Sequence, residues 1–151
     1  HLVLTTVHAN NVFDVLGRFT HMGVDPYSLV AALNGIVAQR LVRVSCSECA
    51  EDDVPDAALL ALSGISDVTG FRFRAGRGCA HCRGTGFKGR KAVAEVLILD
   101  DELRELIVAR EPVRRIKEAA YRKGTRLLRD VGLDLVRRGE TTLQELNRVV
   151  A

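Results

Sequence analysis

The sequence predicts an α/β fold that is mostly helical. Apolar residues recur with the 3.6-residue period of helices, most clearly in the last third of the chain. Short β-branched runs such as "KAVAEVLIL" predict strands beside these helices. All four cysteines lie in the middle of the chain, in two C-x-x-C pairs. The 151 residues are 47% apolar and 27% charged, which is typical of a folded domain.

The first 44 residues predict one strand and two helices. The run "LVLTTVH" at residues 2–8 indicates a strand that ends at polar residues. Apolar side chains at helical spacing then predict a helix from Asn11 to a stop near Gly23. A second helix enters through Pro26, and its pattern continues to about Arg40.

The rest of the chain predicts short elements between the cysteine pairs and four helices at the end. Between the pairs we expect an acidic loop, a short helix and an edge strand at "FRFR". The strand "KAVAEVLIL" follows, and helices occupy the remainder. Three signals mark helix starts: Asp100 or Asp101 as a cap, Pro112 in a first turn, and a capping box of Thr142 with Glu145. Gly124 and Gly139 mark helix ends.

The spacing of the cysteines predicts a metal site. Two C-x-x-C turns supply the four tetrahedral sulfur ligands of a structural Zn²⁺, with Zn–S bonds of about 2.3 Å. The expected ligands are Cys46, Cys49, Cys79 and Cys82. Two disulfides in an exported protein, or a redox-active pair, are alternatives; the first residues are not expected to be an export signal, and a redox site needs only one pair. Four protein ligands leave no open position, so the metal is expected to organise the loop and not to catalyse.

Residues around the second pair fit this interpretation. Gly84 and Gly86 can take positive φ and direct backbone N–H groups at sulfur. His81, inside "CAHC", is expected to be a surface residue and not a ligand. Basic side chains can offset the charge of four thiolates; the candidates are Arg43, Arg77, Arg83, Lys88 and Arg90.

Two other site types are not supported by the sequence. "GTGFKGRK" (residues 84–91) has P-loop spacing, but Arg90 and Lys91 replace the required Lys and Ser or Thr. A net charge of +3 with no Trp gives little reason to expect a nucleic-acid partner.

No apolar run reaches the roughly 20 residues that a membrane span needs, so no direct membrane insertion is expected. The first residues lack a basic n-region, so they are not expected to be a signal peptide.

Several motifs, in order, resemble one family along essentially the whole chain. They are "HLVLTTVHANN", "MGVDPYSLVAALNGIVAQRLVRV", the two C-x-x-C pairs with "RGTGFKGR", "KAVAEVL" and "GLDLVRRGETTLQEL". They resemble the C-terminal part of the ATPases of type II secretion and type IV pilus assembly.

The resemblance implies a fold and a division into domains. Residues 1–44 would be the C-terminal part of a RecA-like P-loop ATPase core, with the strand and two helices. Residues 45–90 would be an inserted tetracysteine zinc module with the four cysteines as ligands. Residues 91–151 would be a return strand and a C-terminal helical bundle.

The resemblance also implies an activity for a longer parent protein. That parent would form a hexameric ring and hydrolyse ATP with Mg²⁺. It would work in the cytoplasm, peripheral to the bacterial inner membrane, with platform proteins of a secretion or pilus system. "TTVHANN" is similar to the family's His box, which makes His8, and less surely His1, a candidate catalytic residue near the terminal phosphate. The Walker motifs are expected upstream of His1, so this piece is not expected to hydrolyse ATP alone.

Two non-enzymatic alternatives remain open from the sequence. "CAHCRGTG" also matches the C-x-x-C-x-G-x-G repeat of zinc-dependent co-chaperones that hold unfolded substrates. A zinc-ribbon nucleic-acid module is the other, and arginines such as Arg72 and Arg74 favour it.

Overall fold

The computed structural model describes residues 1–150, and Ala151, the last residue of the predicted C-terminal bundle, lies outside them. The described residues form an α/β fold, which confirms the predicted class. The helices are α1 Val12–His21, α2 Pro26–Ala32, α3 Ala57–Leu62, α4 Asp101–Val108, α5 Val113–Arg122, α6 Leu128–Arg137 and α7 Leu143–Val149. The strands are β1 Gly35–Ser45, β2 Ala50–Asp52, β3 Arg74–Gly76 and β4 Phe87–Ile98.

The strands pair in two ribbons within residues 1–150. β1 pairs with β4, and β2 pairs antiparallel with β3, with Ala50 opposite Gly76 and Asp52 opposite Arg74. The Leu99 N–H donates to the Asn34 carbonyl at 3.0 Å just beyond the ends of β1 and β4. The two C-x-x-C pairs lie in the connections between these strands.

The chain divides into two compact units. We call residues 1–39 with 94–127 the helical unit, and residues 40–93 with 128–150 the cysteine unit. Helices α6 and α7 therefore group with the cysteine segment. They do so through bonds to residues far away in sequence, such as Ser45 to Glu140 and Arg72 to Arg137.

The helical unit is built on an apolar core. Phe13 and Leu16 of α1 pack with Leu103 and Ile107 of α4 in one buried cluster, to which α5 adds Ile116. Helix α1 is capped by the Asn11 side chain, which accepts the N–H groups of Phe13 and Asp14. The Glu95 carboxylate accepts the Val12 N–H at 2.6 Å. Caps and apolar stripes that the sequence indicated therefore form this unit.

The core of the cysteine unit is smaller and contains buried polar groups. Val42, Val93 and Val136 are fully buried, and so is Leu146. Gly132 lets α6 approach α7, because a Cβ there would lie 2.2 Å from Cδ1 of Leu146. The buried polar side chains of the unit are Ser45, Ser63, Thr141 and Glu145.

Three predicted elements are wrong. The edge strand expected at "FRFR" is displaced to Arg74–Gly76, because its partner strand ends at Asp52, opposite Arg74. The strand expected at residues 2–8 is not formed: these residues are exposed and belong to no strand, since a strand needs a neighbouring backbone and neither ribbon provides one. The second helix ends at Ala32, and β1 begins at Gly35. The apolar residues after Ala32 fit the period of a helix and that of a strand, and the pairing with β4 favours the strand. In this strand Ile36 is buried and Val37 is 65% exposed. Met22, expected on the apolar face of the first helix, is 73% exposed.

A membrane-spanning element is not found within the described residues. None of the helices in residues 1–150 is both long enough and apolar enough to cross a bilayer.

Candidate metal centre

Strand ends position the four cysteines. Cys46 follows the last residue of β1, and Cys49 precedes β2. Cys79 follows β3 after two residues, and Cys82 precedes β4. The Cys46 N–H donates to the Gly86 carbonyl at 2.9 Å, and the Arg77 N–H donates to the Cys49 carbonyl at 3.0 Å. Each C-x-x-C turn is thus tied by its backbone to the segment that contains the other.

The four sulfur atoms lie together. All four Sγ atoms are within 4.8 Å of one another. The separations are 3.9 Å for Cys46 to Cys79, 3.9 Å for Cys49 to Cys82, and 3.8 Å for Cys79 to Cys82. All four are free thiols, and their separations are well beyond a disulfide bond of about 2.05 Å.

This geometry fits a closed four-coordinate metal site. A tetrahedron with metal–sulfur bonds of about 2.3 Å has sulfur–sulfur edges of about 3.8 Å. The three short separations agree with that edge. A soft donor set of four sulfurs suits Zn²⁺. The predicted convergence of the two pairs is therefore present, and these residues could hold one metal ion.

Backbone N–H groups are directed at the sulfurs. The N–H groups of Cys79 and Gly86 each donate to Cys82 Sγ at 3.2 Å, and the Gly78 N–H donates to Cys49 Sγ at 3.3 Å. Although burial opposes it, the N–H groups of Cys79 and Gly86 lower the pKa of the Cys82 thiol to about 6. Burial raises the pKa of the Cys49 thiol to about 12. Of Cys49 and Cys82, it is thus Cys82 that ionises more readily to a thiolate ligand.

The glycines after the second pair behave largely as expected. Gly84 and Gly86 both have positive φ, +77° and +75°. The Gly86 N–H reaches sulfur, whereas the Gly84 N–H donates to the Cys79 carbonyl at 2.9 Å. Gly76 and Gly86 also cross closely, because a Cβ on Gly86 would lie 2.3 Å from the Gly76 carbonyl oxygen. Gly84 and Gly86 of "GTGFKGRK" therefore shape the cysteine turn.

Two of the basic residues expected to balance the thiolates have other partners. The Arg43 guanidinium binds Glu145 at 2.7 Å and stacks on Phe87, 4.1 Å from the ring centroid. Arg77 pairs with Glu51 and Asp53. Arg83, Lys88 and Arg90 are exposed. The sequence pattern did not indicate the buried Glu145, because its partner Arg43 is 102 residues away along the chain.

The histidines are not members of this ligand cluster. His81 is exposed, as expected, and the ligand cluster consists of the four cysteines. His8 is exposed in the irregular segment before α1. Among the described residues, the metal-ligand group therefore consists of the four cysteines and contains no histidine.

The family follows from comparison with known proteins. The sequence model of the type II/IV secretion system protein family matches residues 1–148. The chain belongs to this family. The family match covers both units, including the cysteine segment.

Relatives with curated names agree with the family. The type IV pilus assembly ATPase PilB of Thermus thermophilus is 44% identical over 148 residues, which cover 97% of this chain and 17% of that protein. The type II secretion system protein E of Pseudomonas aeruginosa is 36% identical and covers 99% of this chain and 30% of that protein. The type II secretion system ATPase E of Vibrio cholerae is also 36% identical, and the match covers 99% of this chain and 29% of that protein. The chain thus spans less than a third of the length of these relatives.

Proposed function

We propose that this chain is the C-terminal region of a hexameric ATPase that powers protein export or pilus assembly. The observation that supports it most is the family match over residues 1–148, together with relatives named as type IV pilus assembly and type II secretion ATPases. In this proposal residues 1–44 complete a RecA-like core. ATP and Mg²⁺ bind mainly to parts of the parent protein outside this chain.

The proposed role of the cysteine segment is structural. Cys46, Cys49, Cys79 and Cys82 bind one Zn²⁺, and the sulfur–sulfur distances of 3.8 to 3.9 Å support this assignment. A segment of this size has a small apolar core, and a structural zinc contributes folding free energy directly. The metal keeps the inserted module rigid, so that the module can serve as a rigid contact surface between the motor and its partners.

His8 is the proposed catalytic residue of this chain. A neutral imidazole near the terminal phosphate could donate a hydrogen bond to a phosphate oxygen or orient the attacking water. The support is the "TTVHANN" motif, which is similar to the family's His box. The exposed position of His8 is compatible with a partner group supplied by another part of the protein.

The proposed setting is the cytoplasmic face of the bacterial inner membrane. Rounds of ATP hydrolysis would shift domains within the ring, and platform proteins of the secretion or pilus system would receive the motion. Neither the substrate-holding co-chaperone nor the nucleic-acid module is favoured, because the family match spans nearly the whole chain and not the cysteine segment alone.

The experiment uses the complete parent protein. We expect one zinc per subunit by metal analysis and measurable ATP hydrolysis. His8→Ala should lower kcat by about tenfold or more with ATP binding retained. His21→Ala, another exposed histidine, is the matched control and should leave kcat unchanged. A zinc-loaded parent that hydrolyses no ATP would overturn the motor proposal, and an unaffected His8→Ala variant would overturn the role of His8.

A further inference from the structure

The connection between α6 and α7 is bonded to the segment that leads into the first cysteine pair. The Ser45 N–H donates to the Glu140 carbonyl at 2.8 Å, and the Thr141 hydroxyl donates to the Arg43 carbonyl at 2.7 Å. Ser45 directly precedes Cys46, and both are buried. Thr141 is 1% exposed, so its hydroxyl depends on this bond.

The last residue of α6 is bonded to the segment that leads toward the second pair. The Arg72 N–H donates to the Arg137 carbonyl at 2.9 Å, and the Arg137 guanidinium lies 4.9 Å from the Phe71 ring centroid. Gly139 has φ +70°, and a Cβ there would lie 2.7 Å from the Arg72 carbonyl oxygen. Arg72 is followed by β3 and then by Cys79. The end of α6 and the α6–α7 connection therefore contact both arms of the metal site.

Glu145 fastens α7 to β1. Its buried carboxylate accepts the Arg43 N–H at 3.0 Å and both the Arg43 and Arg148 guanidinium groups at 2.7 to 3.0 Å. Although burial opposes ionisation, these donors lower the pKa of Glu145 to about 2. The carboxylate is thus charged at neutral pH, and Arg43 lies three residues before Cys46. Loss of this charge would leave several donors without their acceptor.

We propose that the metal centre and the C-terminal hairpin, residues 128–149, form one coupled element, although the hairpin contributes no ligand. Metal binding draws the arms at residues 43–46 and 72–79 together, and the hairpin bonds to both arms only in that arrangement. Loss of the metal releases the hairpin. Because coupling between two equilibria is reciprocal, loosening the hairpin weakens metal binding. This inference rests on the zinc site proposed above, and it assigns Glu145 and Thr141 as positioning residues of that site.

The first experiment measures amide hydrogen exchange by mass spectrometry with and without a chelator. The probe metal is zinc, and its content is determined before the exchange starts. We expect residues 128–149 to exchange about a hundredfold faster after zinc removal, together with residues 72–93. Residues 101–122, α4 and α5 of the helical unit, are the internal reference and should keep their protection.

The second experiment measures the reverse direction of the coupling. Zinc transfer to a chromogenic chelator should be about tenfold faster or more in Glu145→Gln, which keeps the size of the side chain and removes its charge. Thr141→Val, which removes only the hydroxyl hydrogen bond, should accelerate it less, by about threefold to tenfold. Leu103→Ala destabilises the helical unit and should leave the transfer rate unchanged, so it separates coupling from general destabilisation.

The outcomes distinguish the two proposals. A chain without zinc would overturn both the metal site and its coupling to the hairpin. A zinc-loaded chain whose residues 128–149 keep their protection after chelation would overturn the coupling and leave the metal site standing. Unchanged transfer rates in both Glu145→Gln and Thr141→Val would also overturn the coupling.

Discussion

The helical unit and the cysteine unit bury different kinds of side chain. Within residues 1–150, the helical unit buries an apolar cluster and one carboxylate, that of Glu95. The cysteine unit buries two of its four thiols and four polar side chains beside a smaller set of apolar residues. The free energy gained by apolar burial is proportional to the buried area and changes little when side chains shift slightly. Sulfur ligands and buried hydrogen bonds, in contrast, require specific distances. The two units should therefore respond to different perturbations.

The chain offers separate probes for the two units. Its two tyrosines, Tyr27 and Tyr121, both lie in the helical unit, and it has no Trp. Tyrosine fluorescence therefore follows the helical unit. Cobalt(II) bound in place of zinc gives thiolate absorption bands that follow the cysteine unit.

The largest effect is expected from Cys46→Ser in the cysteine unit. Cys46 is 0% exposed, and its loss leaves a three-sulfur site in a small core. Because structural zinc provides about 10 kcal/mol or more of folding free energy in small domains, losing one ligand should unfold the cysteine unit. The cobalt bands should disappear, while the tyrosine signal retains its folded value.

His81→Ala is the control for this prediction. It changes an exposed residue inside the same C-x-x-C turn, so the cobalt bands should remain. Full metal binding by Cys46→Ser, or loss of metal from His81→Ala, would contradict the four-sulfur assignment.

Leu103→Ala should give the second largest effect, confined to the helical unit. Leu103 is 2% exposed in the apolar cluster, and truncating such a residue costs about 2 to 4 kcal/mol through lost burial and a cavity. Urea unfolding followed by tyrosine fluorescence should show this loss, with the cobalt bands unchanged.

Leu4→Ala makes the same chemical change at a residue that is 89% exposed. It should change the free energy of unfolding by less than about 0.5 kcal/mol. Equal losses in the two variants would mean that the cluster around Leu103 does not stabilise the helical unit.

The sequence predicted features that depend on neighbours in the chain. The helix start at Asn11, the entry through Pro26 and the cap at Asp100 are local signals, and each is found at a helix start. The C-x-x-C spacing predicted the sulfur cluster for the same reason, since each turn places its own two thiols. Thr142 caps α7 by accepting the Glu145 N–H at 3.1 Å, as the capping box indicated.

What the sequence did not predict depends on distant partners. The run after Ala32 fits a helix or a strand, and only its pairing with β4 decides between them. The Glu145 side chain does not complete the capping box and instead binds Arg43, far away along the chain. The grouping of α6 and α7 with the cysteines likewise follows from backbone bonds such as Ser45 to Glu140. Periodicity describes one segment at a time and contains no information about such pairs.

The third prediction tests how closely the cysteine unit is packed by its backbone. Gly86→Ala should cost about 2 to 3 kcal/mol, because it combines a positive φ with a Cβ placed 2.3 Å from the Gly76 carbonyl oxygen. The Gly86 N–H to Cys82 Sγ bond should be displaced as well. Faster zinc transfer to a chelator is the measurement.

Gly84→Ala is a matched control two residues away. Its φ is +77°, but nothing lies within 4 Å of an added Cβ, so only the cost of the backbone conformation, about 1 kcal/mol, is expected. Equal effects in the two variants would contradict the importance of the Gly76–Gly86 crossing.

The smallest effect is expected from Asp100→Asn in the helical unit. The Asp100 side chain caps α4 by accepting the Leu103 N–H at 2.9 Å and also binds Lys123. The Lys123 ammonium, helped by the Leu103 N–H, holds the pKa of the Asp100 carboxyl below its ordinary value. The carboxylate therefore stabilises the fold above about pH 4, and this stabilisation is lost as the pH falls through the lowered pKa.

The Asp100→Asn side chain keeps the cap and removes the charge. At pH 7 the free energy of unfolding should therefore fall by at most about 0.5 kcal/mol, as is typical of a partly exposed pair. Urea unfolding followed by tyrosine fluorescence should show a weaker loss of stability between pH 5 and pH 3 in the variant than in the parent chain. An identical pH dependence would mean that the Asp100–Lys123 pair does not contribute to the acid sensitivity of the helical unit.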